Sequence, residues 1–255
     1  MAASLPRALR HTPRLTVLRR TGSTNDDARA LLADGPHRDA AVLALRQTRG
    51  RGRIGRRFAS PRGGVYLSLA LPLSAPPDPT ALTFAAAVAT ACAIEEATGV
   101  PCAIKWVNDL WLGGKKCGGI LTEGVWDETG QPLGAIIGIG VNLKGRLPSA
   151  LAPIATTLKS HTKRPLSVYP FAASLLSLLR TWLKEPASAV MEAYRARFCL
   201  GGRRVEVQDG ACRYPATVEG LGEDGSLLVV DDEGARHRLA AGEVTLHGSP
   251  SPDSF

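Results

Sequence analysis

The 255 residues are 44% hydrophobic and 21% charged, which excludes a disordered or fibrous chain and leaves ample surface to bury in one large domain or a large and a small one. The formal net charge of +8, carried mostly by arginine, suits an anionic ligand or an acidic partner, and no apolar run approaches the length of a membrane span, so no membrane partner is expected. Five cysteines (Cys92, Cys102, Cys117, Cys199, Cys212) without a Cys-x-x-Cys pair disfavour disulfides and zinc and point to the reducing cytoplasm; five scattered histidines lack metal-ligand spacing, so no protein-held metal is expected.

The first 25 residues carry five arginines and no acid, a weak likeness to a transit peptide. Motif-bearing sequence already begins at Gly22, so a short unstructured or strand-forming N-terminus is expected. Ser23 to Ala33 reads as a helix, capped by Ser23 or Thr24, with Asp26 and Asp27 at its positive end and Gly35-Pro36 as its stop. Ala40 to Leu45 is a buried strand, Arg46 to Gly64 a polar glycine-rich loop, and Val65 to Leu71 a second strand. Pro79 to Ala97 is an alanine-rich buried helix ended by Gly99. Strand candidates follow at Cys102 to Trp106, Gly119 to Trp126 and Gly134 to Leu143, then helices at Tyr169 to Leu183 and Ala187 to Phe198, split by Pro186.

After Gly201-Gly202 the pattern changes to short strands, Arg204 to Gln208, Ala216 to Leu221, Ser226 to Val230 and Arg236 to Leu239, separated by acidic and glycine turns. The expected organisation is an α/β (α+β) domain over 1–200, a small β-barrel over 201–248 and a disordered tail at 249–255.

Five segments carry chemistry. Gln47 to Phe58 packs three glycines and five arginines into one loop, so that the backbone can approach a ligand while guanidinium forks meet phosphate or carboxylate oxygens. Such arginine-glycine repeats also occur in RNA binders, and the loop lacks the order of a phosphate loop. Lys105-Trp106-Val107-Asn108-Asp109-Leu110 and Lys115 to Leu121 set an amide, a carboxylate and an ammonium beside glycines that permit close packing; a plain hairpin with Asn108-Asp109 as turn formers is the alternative. Gly22-Ser23-Thr24-Asn25 and Gly138 to Leu143 are weaker alone, the one readable as a helix cap and the other as a buried strand.

In this order, Gly-Ser-Thr-Asn, Gln-Thr-Arg-Gly-Arg-Gly-Arg, Lys-Trp-Val-Asn-Asp-Leu, Lys-Cys-Gly-Gly-Ile-Leu and Gly-Ile-Gly-Val-Asn-Leu resemble the biotin protein ligase family across residues 22 to 143. The resemblance implies a mixed-sheet catalytic domain of the biotin/lipoate ligase type with a small C-terminal SH3-like β-barrel. It implies biotin at Ser23, Thr24, Asn25, Gln47 and Gly50, an adenylate loop shaped by Arg51, Gly52 and Arg53 that also contacts biotin, Lys116 beside the biotin carboxylate and phosphate, and Gly119 lining the biotin pocket. Arg53, Arg56, Phe58, Asn108, Lys116 and Asn142 are the implied nucleotide contacts, and Lys116, Arg53, Arg51 and Asp109 the implied catalytic groups. Two positions depart from the family's pattern: Val107 stands where proline is usual and Phe58 where tryptophan is. Phe58 keeps an aromatic face.

Activation of the carboxylate by ATP with Mg2+, then transfer to a lysine of a biotin carboxyl carrier protein of acetyl-CoA carboxylase or a related carboxylase, is the implied reaction. A lipoate or other acyl ligase would share the adenylating logic and differ in the acid. An RNA-binding module would use the loop and barrel but leave Lys105 to Asp109 and Lys116 to Leu121 unexplained. Only 21 residues precede Gly22, too few for a helix-turn-helix, so no DNA partner and no repressor function are expected. The choice between monomer and homodimer stays open.

Overall fold

A computed structural model describes residues 15–33, 39–210, 212–240 and 243–246. The expected tail at 249–255 lies outside them. The first sheet has seven strands: β1 (Leu15–Leu18), β2 (Ala40–Ala44), β3 (Val65–Pro72), β4 (Ala103–Lys105), β5 (Asp109–Leu112), β6 (Lys115–Trp126) and β7 (Pro132–Val141). Their spatial order is β1-β2-β3-β7-β6-β5-β4. Only β1 and β2 run parallel; every other pair is antiparallel.

Residue alternation sorts the two faces of this sheet. Val65, Leu67 and Leu69 of β3, with Ile137, Ile139 and Val141 of β7, enter the main core. Against them lie the helices α2 (Pro79–Thr98) and α3 (Val168–Trp182), and α4 (Ala187–Arg195) packs on α2. On the opposite face Ala40, Val42, Ala70, Val125 and Ile136 form a smaller cluster under Ala28 and Leu32 of α1 (Thr24–Ala33). That face beyond α1 is where Gly119 of β6 and Gly138 and Gly140 of β7 lie.

Helix α2 has clear start and stop signals. The Asp78 side chain accepts from the amides of Thr80 (2.9 Å) and Ala81 (3.1 Å), Pro79 occupies the first turn, and Gly99 at φ +74° closes the end on Glu95 O at 2.7 Å. By length and composition α2 could cross a membrane, which corrects the expectation that no apolar run approaches a span. Its alanines and threonines dilute the apolar signal in sequence. Most of the helix is buried between the sheet and the neighbouring helices, as befits a core helix.

Two elements differ from expectation in the centre of the chain. Asp109 opens β5 rather than forming a turn, because the turn falls at Trp106 to Asn108 and the following hairpin reverses at Gly113 and Gly114, with φ of +56° and +78°. Strand β6 accordingly starts at Lys115, four residues before Gly119. The Trp106–Val107 peptide is cis.

The C-terminal sheet comprises β8 (Arg204–Asp209), β9 (Cys212–Leu221), β10 (Leu227–Asp231), β11 (Arg236–Leu239) and β12 (Glu243–Leu246), all antiparallel, in the order β11-β10-β9-β8-β12. Strand β12 has no counterpart among the strands expected from sequence. The apolar face, with Val205, Val207, Ala216, Val218, Leu227 and Val229, joins the main core. The two sheets are tied by Trp106 Nε1, which donates to Gly225 O at 3.0 Å, and by Arg195, which donates to Gly222 O at 2.8 Å.

Candidate functional site

Strand register builds the floor. Tyr66 of β3 faces Gly140 of β7, Gly140 faces Gly119 of β6, Gly119 faces Asp109 of β5, and Asp109 faces Lys105 of β4. Two residues along each strand, Ser68, Gly138 and Leu121 form a parallel row on the same face. Cross-strand partners share a face, so these rows put two adjacent glycines between a phenol and a carboxylate. The result is a cavity of about 460 Å³, within the usual range for a small-molecule site.

Side chains are packed against the missing Cβ atoms. A Cβ at Gly138 would stand 2.1 Å from Asn25 Oδ1, and one at Gly140 would stand 2.5 Å from the Phe58 ring. One at Gly119 would make ordinary contact with Lys116 and Asp109, at 3.4 to 3.6 Å.

At one end a buried polar network joins three segments. The amide and hydroxyl of Thr24 both donate to Gln47 Oε1, at 2.8 and 3.0 Å, and Gln47 Nε2 donates to Ser60 Oγ at 3.0 Å. The Ser68 hydroxyl lies 2.7 Å from Thr24 Oγ1 and 2.6 Å from Asn25 Oδ1. Asn25 Nδ2 donates to Glu123 Oε2 at 2.6 Å. Ser23, Thr24 and Asn25 are buried at the start of α1, where backbone amides of the first turn point outward.

The arginine loop is a small hairpin over the cavity. Gly52 N donates to Arg56 O at 2.7 Å, Phe58 N to Gly50 O at 2.9 Å, and Ile54 and Gly55 turn the tip with φ of +51° and +72°. Arg51 is bound to Asp26 and to Glu123, the latter at 3.2 Å. Burial works against its cation, yet the pull of the two carboxylates prevails and raises its pKa. Arg53 donates to Asn108 Oδ1 at 3.4 Å, and Asn108 Nδ2 donates to Ile120 O at 2.8 Å.

Further along, Lys116 Nζ lies 2.6 Å from Asp109 Oδ1. Its backbone is pinned by residues 154–156: Lys116 N donates to Ile154 O and Thr156 N donates to Lys116 O, each at 2.9 Å. Lys105 Nζ stands 5.6 Å over the Trp111 ring. Asn142 Nδ2 donates to Thr156 O at 3.2 Å.

Ser23, Thr24, Asn25, Gln47, Arg51, Gly52, Arg53, Arg56, Phe58, Asn108, Asp109, Lys116, Gly119 and Asn142 all line this one cavity. Gly50 does not. It lies behind the wall, where a Cβ would meet Phe58 O and Ser60 Oγ at 2.5 Å, so its role is to let the loop pack on itself. Sequence reasoning missed the apolar wall of Leu147, Leu151, Pro153 and Ile154, and Val244 to Leu246 of β12. Nothing local in those segments marks them, since tertiary docking alone brings them to the cavity. Gly138 and Gly140 stand within the Gly-Ile-Gly-Val-Asn-Leu segment, and their alternation on β7 could have placed them.

The sequence model of the biotin/lipoate A/B protein ligase family matches residues 17–142. A biotin--[acetyl-CoA-carboxylase] ligase of Paracoccus denitrificans is 32% identical over 247 residues, covering 91% of this chain and all of that protein. A bifunctional ligase/repressor of Bacillus subtilis is 42% identical over 235 residues, covering 86% of this chain and 70% of its own length. The structure of the biotin protein ligase of Aquifex aeolicus, in complex with biotin and ATP, superposes with a TM-score of 0.79 at 27% identity, covering 92% of this chain and 98% of that one. The two-sheet architecture, the cavity and these relatives together show that the chain belongs to the biotin protein ligases of the biotin/lipoate A/B protein ligase family.

Proposed function

We propose that this chain joins biotin to AMP and passes the biotinyl group to a lysine of a carboxylase's biotin carboxyl carrier domain. The observation that carries the reading is one cavity in which a neutral polar end (Thr24, Asn25, Gln47) continues into a cationic stretch (Arg51, Arg53, Lys116) over a glycine floor. An uncharged head group with donors and acceptors suits the first part, and a carboxylate meeting a phosphate suits the second. The biotin and ATP held by the Aquifex ligase and the acceptor in the name of the Paracoccus enzyme support the same assignment.

In the first half-reaction a biotin carboxylate oxygen attacks the α-phosphorus of ATP, and pyrophosphate leaves with the electron pair of the broken P–O bond. Two unit negative charges about 4 Å apart repel by roughly 4 kcal/mol at an effective dielectric near 20. Lys116, Arg51 and Arg53, all lining the cavity, are placed to offset that repulsion. Phe58, packed on Gly140, keeps the loop's base on the floor.

Among the described residues no group of three or more His, Cys, Asp and Glu could hold a metal, and Asp109 is the one carboxylate in the cavity lining. That donor set fits a Mg2+ carried by the nucleotide, which takes one or two carboxylates plus phosphate oxygens. Asp109 would hold it while ATP is bound, before the acceptor arrives, and the ion would neutralise phosphate charge.

In the second half-reaction the acceptor lysine nitrogen attacks the acyl carbon, AMP leaves, and the nitrogen loses a proton. An unperturbed lysine has a pKa near 10.4, so a base is required. We assign this to Asp109, with Lys116 as its ion-pair partner. The five free cysteines support placing the reaction in a reducing compartment, the cytoplasm. DNA enters neither half-reaction.

The test is biotin-dependent exchange of labelled pyrophosphate into ATP by the purified protein with Mg2+, run beside lipoate and Lys116→Ala. Exchange with biotin only, lost in the variant, is the expected result. Exchange with lipoate instead would reassign the acid, and no exchange with either from folded protein would overturn the reading.

A further inference from the structure

Glu123 belongs to no step above and does not line the cavity, yet it touches two of the segments that do. On β6 it faces Ile136 across the sheet, one row from Gly138, beside the first turn of α1. Its Oε2 accepts from Asn25 Nδ2 at 2.6 Å and from Arg51 Nη2 at 3.2 Å, and its Oε1 meets Arg29 Nη2 at 3.2 Å. The side chain is one quarter exposed, whereas Asn25 is 4% exposed.

An asparagine amide presents an acceptor at one end and a donor at the other, and can flip between two orientations of equal shape. An ionised carboxylate only accepts. The end of Asn25 that meets Glu123 must therefore be nitrogen, and the oxygen must turn to Ser68 and Gly138, where Oδ1 lies 2.6 Å from the Ser68 hydroxyl. The same carboxylate oxygen takes Arg51 of the arginine loop, so the amide orientation in the pocket and the position of the loop's first arginine share one acceptor.

We propose that Glu123 is a positioning residue for the acid substrate: it sets the orientation of the Asn25 amide and, through the same carboxylate, holds Arg51 at the mouth, so that head-group pocket and loop are assembled together. It acts through Asn25 and Arg51 and does not touch the reacting atoms. Glutamine at this place has nearly the same shape but both a donor and an acceptor end. It permits either Asn25 orientation and gives Arg51 a neutral partner, and charge-assisted bonds are roughly twice as strong as neutral ones.

The inference rests on the biotin ligase reading, and the experiment separates the two. Biotin affinity is measured by calorimetry without ATP, with KM for biotin and for ATP from pyrophosphate exchange and thermal melting in parallel, for the wild type, Glu123→Gln, Glu123→Asp and Arg29→Ala. Expected are a biotin Kd and KM weakened about tenfold in Glu123→Gln, on the scale of one charge-assisted hydrogen bond. The KM for ATP should stay within about twofold and melting should be nearly unchanged. Glu123→Asp keeps an acceptor-only carboxylate, withdrawn by one methylene, and should fall between. Arg29→Ala removes a partner that reaches neither the pocket nor the loop, and should bind biotin as the wild type does. Wild-type biotin affinity in Glu123→Gln, an equal rise in both KM values with a fall in melting temperature, or an aspartate variant weaker than the glutamine one, each overturns the role. A wild type that shows no biotin-dependent exchange would instead remove the functional reading itself.

Discussion

Gly138→Ala is the sharpest test of the register-built floor. The added methyl would stand 2.1 Å from Asn25 Oδ1, 2.8 Å from its Cγ and 2.9 Å from its Nδ2, so the whole amide must leave its place. The backbone behind it cannot yield, because β7 is hydrogen-bonded on both sides, to β3 and to β6. Displacing Asn25 breaks its contact with the Ser68 hydroxyl and its bond to the Glu123 carboxylate, both at 2.6 Å. A neutral hydrogen bond is worth about 1 kcal/mol net and one to a charged group about 2, so the pocket loses roughly 3 kcal/mol of organisation. At 1.4 kcal/mol per decade that is about a hundredfold in biotin affinity. Pyrophosphate exchange at varied biotin, with ATP saturating, reads it as KM; circular dichroism checks that the sheet persists. A folded Gly138→Ala protein with wild-type KM for biotin would show that Asn25 does not touch the acid, and would refute the assignment of that end of the cavity.

Gly119→Ala should be mild by the same reasoning, a few-fold at most, since its Cβ meets the flexible end of Lys116 at 3.4 Å; exchange kinetics compare the two alanine variants directly. Asp109→Asn should slow transfer from preformed adenylate to the acceptor by about a hundredfold, the low end for a lost general base, measured in single turnover. Trp106→Phe leaves Gly225 O without its indole donor and should cost about 1 to 3 kcal/mol, or several degrees in melting temperature. Asp224 is held below the usual carboxylate range by Arg238 and Ser226, and Asp231 by His237 and the Ala235 amide. Depressed folded-state pKa values stabilise above the unfolded value near 3.9 and lose that contribution as pH falls through the folded one, so stability should decline below about pH 4. Asp224→Asn should flatten that acid limb in melting profiles.

Much of the site was legible because its chemistry is concentrated in the chain. Five arginines and three glycines between Gln47 and Phe58 have few uses other than an anion, and the alternation of β3 and β7 follows from their apolar residues. Local pattern could not separate Gly50 from Gly52. Both sit between arginines, but one is packed against Phe58 O and Ser60 Oγ while the other lines the cavity. Asn108 and Asp109 carry turn propensity, and only Asn108 turns; pairing with Lys105 and Gly119 on either side draws Asp109 into the sheet. Glu123 reads as an ordinary polar residue on a half-exposed strand. Its meaning depends on α1 and the arginine loop, 98 and 72 residues away in sequence, reaching the same point.

The placement of charge follows from what the site must do in both states. A cluster of cations ready for two anions would repel itself when no ligand is bound, and burying unpaired charge is costly. Here Lys116 is paired with Asp109, and Arg51 with Asp26 and Glu123. Both pairs are partly exposed, so each is individually weak in water, on the order of 1 kcal/mol or less. Weak pairs suit the task, because an arriving carboxylate or phosphate exchanges one acceptor for another rather than charging an empty pocket. The exchange also leaves Asp109 without its ammonium partner when Lys116 turns to the ligand. That is the moment at which a carboxylate beside the acyl phosphate is available to take a proton from the incoming amine.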